Sequence, residues 1–400
     1  MSAALIVLLL ALLLGMQPVT TDLYLPALPA LTEGFAAPMS QAQLTLTALL
    51  LSFGLSQLVW GPLSDRFGRR PVLLWGVSAY VAASIGCTLA ASMELLIIWR
   101  AVQGAAMGAG VMCARAVVRD LYPSVEGARV MSKGLTGLGV IACTSAPLGG
   151  LLSDWLGWRI ALLAVAVFGA ATLVMVALYF KETVLPANRR PLHPSTLVRT
   201  WWHIARNPTF LAFSALSMAS YAGLFTFLAT SSFVFIKIQG LSKTQYGLLM
   251  FSMSAAYIAG TFLCRRLLLR WGVPRTVALA GGLSLLGGTL MAVLALVGTN
   301  SPWYGPWAII APYYLYMLGH GIHQPCGQSG AIGPFPQAAG TASAVNGFLM
   351  MVAAFFMGGW IGQHMDGTVL PMVYGIWFWS AVLAFSAWVL VQKHAHHDEH

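Results

Sequence analysis

Apolar runs of about twenty residues, broken by short polar segments, repeat along the whole chain. A helix needs about 20 mostly apolar residues to cross the hydrocarbon core of a bilayer. On that criterion the pattern predicts twelve spans, at residues 3–24, 43–62, 71–91, 95–115, 131–152, 159–180, 208–231, 246–264, 276–297, 305–328, 340–362 and 370–391. The first twenty residues lack the basic start and small-residue cleavage site of a secretory signal, so they are expected to persist as the first helix. The longest polar stretch runs from Lys181 to Asn207 and carries Arg189, Arg190, Arg199 and Arg206 with several prolines. It divides the spans into two sets of six. The expected fold class is therefore an all-α integral membrane protein with twelve transmembrane helices in two pseudo-symmetric six-helix bundles. Residues 1–180 form the first bundle, 181–207 a cytoplasmic linker, 208–392 the second bundle and 393–400 a cytoplasmic tail.

Composition agrees. Of 400 residues, 58% are hydrophobic and 8% charged, whereas a soluble domain needs roughly a quarter charged residues to face water. The net charge of +10 does not point to nucleic acid, because the basic residues sit in short loops between apolar runs. They also orient the chain. With both termini cytoplasmic, most of the 21 Lys and Arg fall inside; Arg159, Lys237 and Lys243 fall outside, and Arg100 falls within a span. The five cysteines (Cys87, Cys113, Cys143, Cys264, Cys326) stand singly and suggest neither a disulfide framework nor a zinc site. No Gly-rich phosphate cradle is present, so the energy source is not ATP, and neither hydrolytic chemistry nor a cofactor is expected.

The loop between the second and third spans reads Gly61-Pro62-Leu63-Ser64-Asp65-Arg66-Phe67-Gly68-Arg69-Arg70. It matches the major facilitator signature G-x-L-a-D-r-x-G-r-R/K. A tight turn at Gly68 would place Asp65 to accept hydrogen bonds from arginines or a neighbouring helix N-terminus, forming a gating clasp. The plainer reading is a basic loop that only sets orientation, but such a loop needs arginine and not Gly and Asp at fixed spacing. The second half carries an echo, Leu269-Arg270-Trp271-Gly272 with Pro274-Arg275, in which the acid is lost.

Ionisable residues inside a membrane are costly and functional by default. Of the eleven acids only Asp22 lies within a span, and of Lys and Arg only Arg100 does so away from the helix ends, where Arg115, Lys133 and Arg159 fall. The first helix runs outward and the fourth inward, so both side chains fall at similar depth, where a pair is expected. The plainer alternatives are that Asp22 caps a hydrated helix end, near Tyr24, Pro26 and Pro29, and that Arg100 snorkels to the interface.

Together, Thr21-Asp22-Leu23-Tyr24-Leu25-Pro26-Ala27-Leu28-Pro29, the loop at Gly61–Arg70, the run Arg100 to Gly104 and Arg119-Asp120-Leu121-Tyr122-Pro123 resemble the Bcr/CflA branch of the drug:proton antiporters. The resemblance spans essentially the whole chain, with its diagnostic motifs in the first half. It implies an alternating-access fold, a bacterial inner-membrane location and efflux of bicyclomycin-like or chloramphenicol-like drugs. It also implies proton antiport, with Asp22 matching the first-helix acid and Arg100 the fourth-helix arginine. Tyr24, Gln103, Arg115, Pro147, His320 and His323 are candidates for lining the substrate cavity. Two departures stand out. The fifth-helix antiporter motif G-P-x-x-G-G appears as Ala146-Pro147-Leu148-Gly149-Gly150, one residue short, and the region around Leu12 to Gly15 lacks the second acid of some multidrug exporters.

The tenth span holds His320, His323 and Cys326 with Gln324, Pro325 and Gln328. Their i, i+3, i+6 spacing drifts around a helix, so they suit a cavity wall or packed interface better than a metal site, which wants convergent ligands. No bound metal is expected, and the tail residues His394, His396, His397 and His400 are expected to be solvated. Expected partners are a small-molecule drug, protons and the bilayer, with the chain acting as a monomer. The alternatives are a metabolite or transition-metal porter using His320 and His323, or a non-transporting membrane sensor.

Overall fold

The computed structural model describes residues 2–122, 124–184, 194–298, 304–335 and 338–394, without the side chains of 124–129, 132 and 194. Pro123, the side chains of Glu126 and Arg129, Arg189, Arg190, and the tail residues His396, His397, Asp398, Glu399 and His400 lie outside the described residues. Everything described is helix or short connection. Inside lipid a backbone polar group has no water to bond, so the chain must satisfy itself within each segment.

The helices are α1 Ala3–Asp22, α2 Leu28–Gly34, α3 Met39–Phe67, α4 Arg69–Leu89, α5 Met93–Leu121, α6 Ser124–Trp155, α7 Trp158–Tyr179, α8 Pro194–Ala205, α9 Pro208–Ser232, α10 Lys243–Gly298, α11 Pro306–Ile332, α12 Ala339–His364, α13 Leu370–Phe385 and α14 Val391–His394. Ten candidate spans among the described residues are long and apolar enough to cross a membrane. One of these, α10, is two predicted spans joined end to end and broken at Gly272, whose φ of 69° is non-helical. The remaining predicted span is α11, diluted by His320, His323, Gln324 and Gln328; its 27 residues still reach about 40 Å at 1.5 Å each. Among the described residues these make twelve helices long enough to span, as the pattern predicts.

Their ends follow ordinary capping rules. Ser92 Oγ accepts from Leu95 N at 3.2 Å to start α5. Asn207 Oδ1 accepts from Phe210 N at 2.9 Å to start α9, with Pro208 in the first turn.

Backbone proximity divides the chain into two units: Met1–Ser195 with Ser242–Phe251, and Thr196–Leu241 with Ser252–His400. In the first, α3 packs along α5, and α4 along α5 and α7. The α3–α5 approach requires glycine: a Cβ at Gly104 would strike the Leu49 carbonyl, and one at Gly108 would strike Ser56 Oγ. In the second, α9 is enclosed by α11, α12 and α13. Its apolar residues lie all round the helix rather than on one stripe, which suits a helix buried on every side. Phe227 of α9 stacks on Tyr313 at 4.0 Å, and Tyr313 on Tyr316 at 5.3 Å.

One element departs from the expectation. Part of the polar stretch 181–207, expected as a linker, forms α8, a 12-residue helix that the pattern did not predict. Leu197, Trp201 and Ile204 recur at helical spacing, and Ile204 is fully buried. The surrounding prolines and arginines hid that period.

Candidate functional site

Arg100 is fully buried in the first unit. Its two terminal nitrogens donate to the Thr20 carbonyl at 3.1 and 3.2 Å, and one also donates to Gln103 Oε1 at 2.8 Å. The guanidinium lies over the Tyr24 ring, 3.9 Å from its centroid. Around it the network continues from Gln103 Nε2 to Ser84 Oγ (2.7 Å), between Tyr80 and the Thr20 hydroxyl (2.5 Å) and between Tyr24 and the Thr45 hydroxyl (2.7 Å). Thr20 lies in the last turn of α1, where the carbonyls have no intrahelical partner and the helix dipole is negative. A buried cation therefore finds a ready acceptor there.

The expected ion pair between Asp22 and Arg100 does not form. Asp22, half-buried at the end of α1, instead accepts from Thr21 Oγ1 at 2.8 Å. A carbonyl, an amide oxygen and an aromatic face together hold the guanidinium, and the carboxylate is left out. The two residues share one end of α1 but not a salt bridge. Tyr24 and Gln103, expected on a cavity wall, are both fully buried inside this cluster.

The loop at Gly61–Arg70 forms a second polar cluster. Gly68 ends α3 and starts α4 with φ 101°, a conformation suited to glycine. A Cβ there would also collide with the Glu182 carboxylate. Arg69, nearly buried, pairs with Asp65 at 2.6 Å and with Asp120 at 2.9 Å, and donates to Ser64 Oγ at 2.5 Å. Glu182 accepts from the backbone N–H of Arg69 at 2.9 Å and of Arg70 at 3.1 Å, an anion at the N-terminus of α4. Arg70 donates to the carbonyls of Phe180 and Ala177 at the end of α7. The signature thus ties α3, α4, α5 and α7 together within the first unit. Arg66 stays exposed beside the Phe67 ring, and Gly61 faces Met112. Sequence reasoning placed Asp65 and the arginines but missed Ser64, Asp120 and Glu182 as partners. Asp120 belonged to a motif already singled out, and Glu182 is the first acid after the sixth span, so both carried a faint signal.

The remaining candidates are scattered. Arg115 is exposed on α5. Pro147 lies in α6, where Cβ atoms at Gly149 and Gly150 would meet the carbonyls of Leu23 and Lys243; the shortened motif still permits close backbone approach. On α11, His320 Nδ1 bonds Ser220 Oγ of α9 at 2.8 Å, flanked by Tyr316 Oη donating to the Ser220 carbonyl and Gln324 Nε2 to the Ser217 carbonyl. His323 is fully buried, and Cys326 meets Cys264 of α10 at 3.7 Å. His320 and Cys326 thus face different helices, a packed polar seam rather than a converging ligand set.

An all-helical chain with twelve predicted spans and this loop fits a membrane transporter, and comparison with known proteins makes the class definite. Residues 9–358 match the Major Facilitator Superfamily, and the chain belongs to that family. Among curated relatives, a chloramphenicol resistance protein of Pseudomonas aeruginosa is 31% identical, over 81% of this chain and 75% of its own. Multidrug resistance protein D of Escherichia coli strain K12 is 29% identical over 87% and 86%, and a bicyclomycin resistance protein homolog of Haemophilus influenzae is 26% identical over 93% and 92%. These relatives bear out the resemblance to the Bcr/CflA branch. Two solved structures share the fold: an Escherichia coli xylose transporter in a partially occluded inward-open conformation (TM-score 0.73, 14% identity, covering 98% of this chain and 97% of that one), and the human organic anion transporter MFSD10 (TM-score 0.67, 17% identity, covering 98% and 100%).

Proposed function

We propose that this protein exports small amphiphilic drugs, chloramphenicol-like or bicyclomycin-like, across the bacterial inner membrane in exchange for protons. The observation that carries the reading is Asp22, the only acid expected within a span, half-buried and free of any ion pair with Arg100. A carboxyl that alternates between dry and wet surroundings takes up a proton in the first and releases it in the second. The drug-resistance names of its relatives point to the cargo.

In this reading the chain is a monomer with both termini in the cytoplasm. The bundles 1–180 and 208–392 rock about the 181–207 segment, and the Asp65–Arg69–Asp120 cluster acts as the cytoplasmic clasp. Arg100 is a positioning residue that fixes the end of α1 beside Asp22. The test is purified protein in liposomes, assayed for proton movement as each member of a drug panel is added. Drug-dependent proton flux in wild type and none in Asp22→Asn is the expected outcome. Drug transport that proceeds with no proton movement would overturn the coupling.

A further inference from the structure

The helix α8 ends at Ala205, and the spanning helix α9 begins at Pro208. Three residues reach at most about 10 Å, so the end of α8 is tethered at the membrane surface. Its stripe of Leu197, Trp201 and Ile204 turns toward the protein, with Ile204 fully buried and the neighbouring His203 ring 6.1 Å from Phe335. A second apolar stripe, one residue round the helix, has no such cover among the described residues. Val198 and Trp202, four apart, are 58% and 60% exposed. Beside that stripe stand Arg199, His203 and Arg206, all exposed, with the Arg206 guanidinium 4.4 Å from the Trp202 ring centroid. From Pro194 to Arg206 there is no acid.

An indole and an aliphatic side chain flanked by cations, at a membrane boundary, match the headgroup region of an anionic bilayer leaflet. The charges are attracted to lipid phosphates, and the apolar stripe enters the acyl boundary. We infer that α8 is an interfacial anchor whose Val198–Trp202 stripe and Arg199/Arg206 pair bind anionic phospholipid headgroups of the cytoplasmic leaflet. This rests on the orientation proposed above and not on the drug or the proton.

The test uses full-length protein lacking its native cysteines, with Trp202→Cys or Val198→Cys carrying a nitroxide label. It is reconstituted in vesicles of phosphatidylcholine alone or with phosphatidylglycerol, at low and high salt. Collision with oxygen, which concentrates in lipid, is compared with collision with a water-soluble nickel complex. The expected result is an oxygen-to-nickel ratio several-fold higher with phosphatidylglycerol, reduced by salt and by Arg199→Gln with Arg206→Gln. A label equally open to nickel in both vesicles means that α8 faces water, and a label closed to both reagents means that protein covers the stripe. Either result overturns the inference. Intact folding in the vesicles is checked by the circular-dichroism spectrum of the labelled protein; drug-dependent proton flux is assayed separately in the phosphatidylglycerol vesicles, and its failure with the lipid contrast preserved would count against the transport reading alone.

Discussion

At Arg100 a buried cation had two possible anchors, the Asp22 carboxylate and the neutral oxygens around it, and it took the latter. The guanidinium is planar and presents several donors in a fixed fork, which suits a helix-end carbonyl and an amide oxygen reached together. Lysine offers a compact charge that cannot span both. Arg100→Lys is therefore expected to lower thermal stability in detergent by roughly 1–3 kcal/mol, and to weaken transport through misplacement of α1. A melting profile unchanged from wild type would show that the bonds to Thr20 and Gln103 are not what holds this end of α1. Asp22 is different in kind, since its one described hydrogen bond is to its neighbour Thr21. Asp22→Asn keeps the shape and an acceptor for that bond while removing the titrating group, so the protein is expected to insert and melt normally but to lose uphill drug efflux. Normal efflux against a gradient by this variant would falsify the assignment.

Between elements, the contacts that matter join residues far apart in the chain. Glu182 closes the N-terminus of α4 across 113 residues and leaves no room for a side chain at Gly68. Replacing it by Gln keeps the size but removes the anion facing two free N–H groups. A loss of about 0.5–2 kcal/mol is expected, read as a lower melting temperature. Asp65→Asn removes a charge-assisted partner of Arg69, worth roughly 1.5–3 kcal/mol. It is expected to raise labelling of single cysteines on the cytoplasmic side of the proposed cavity, in a background free of the native ones, and unchanged labelling would remove the gating role. Cys264 and Cys326, 3.7 Å apart on α10 and α11, test the packing directly. A mild thiol oxidant should join them within one chain, and proteolysis followed by mass analysis should find that pair in preference to any involving Cys87, Cys113 or Cys143. These elements were unequally legible. The spans could be read because lipid forces one rule on every segment, apolar length. The Gly61–Arg70 turn could be read because its glycine and charges have fixed spacing. The partner of Arg100 could not, because it is a backbone carbonyl and every residue has one. Glu182 could not be tied to Gly68 because no local pattern encodes a contact of that separation. The helix α8 escaped because three apolar positions among arginines and prolines look like linker.

For the whole molecule the charge inventory limits the cargo. In the reading proposed here the membrane interior holds one carboxylate, Asp22, and one arginine already bonded to neutral oxygens. A dication entering such an interior would shed its hydration with no surplus negative charge to replace it. Neutral or singly charged amphiphiles are therefore expected to be exported in preference to dicationic dyes and disinfectants. With Asp22 alone to carry protons, the exchange should be one proton per drug molecule. The driving force then depends on the cargo. Export of a neutral drug against one incoming proton moves net charge, so both the pH gradient and the membrane potential drive it. Export of a monocation against one proton moves none, so the pH gradient alone drives it. In liposomes, valinomycin with potassium collapses the potential and nigericin collapses the pH gradient. Valinomycin is expected to slow the neutral drug and leave the monocation unaffected, while nigericin stops the monocation and only slows the neutral drug. Robust export of a dication, or two protons exchanged per molecule, would reveal a second titrating group. The buried His320 and His323 of α11 would then be replaced first, since an imidazole ordinarily exchanges its proton nearer neutral pH than the tyrosines and cysteines buried around it.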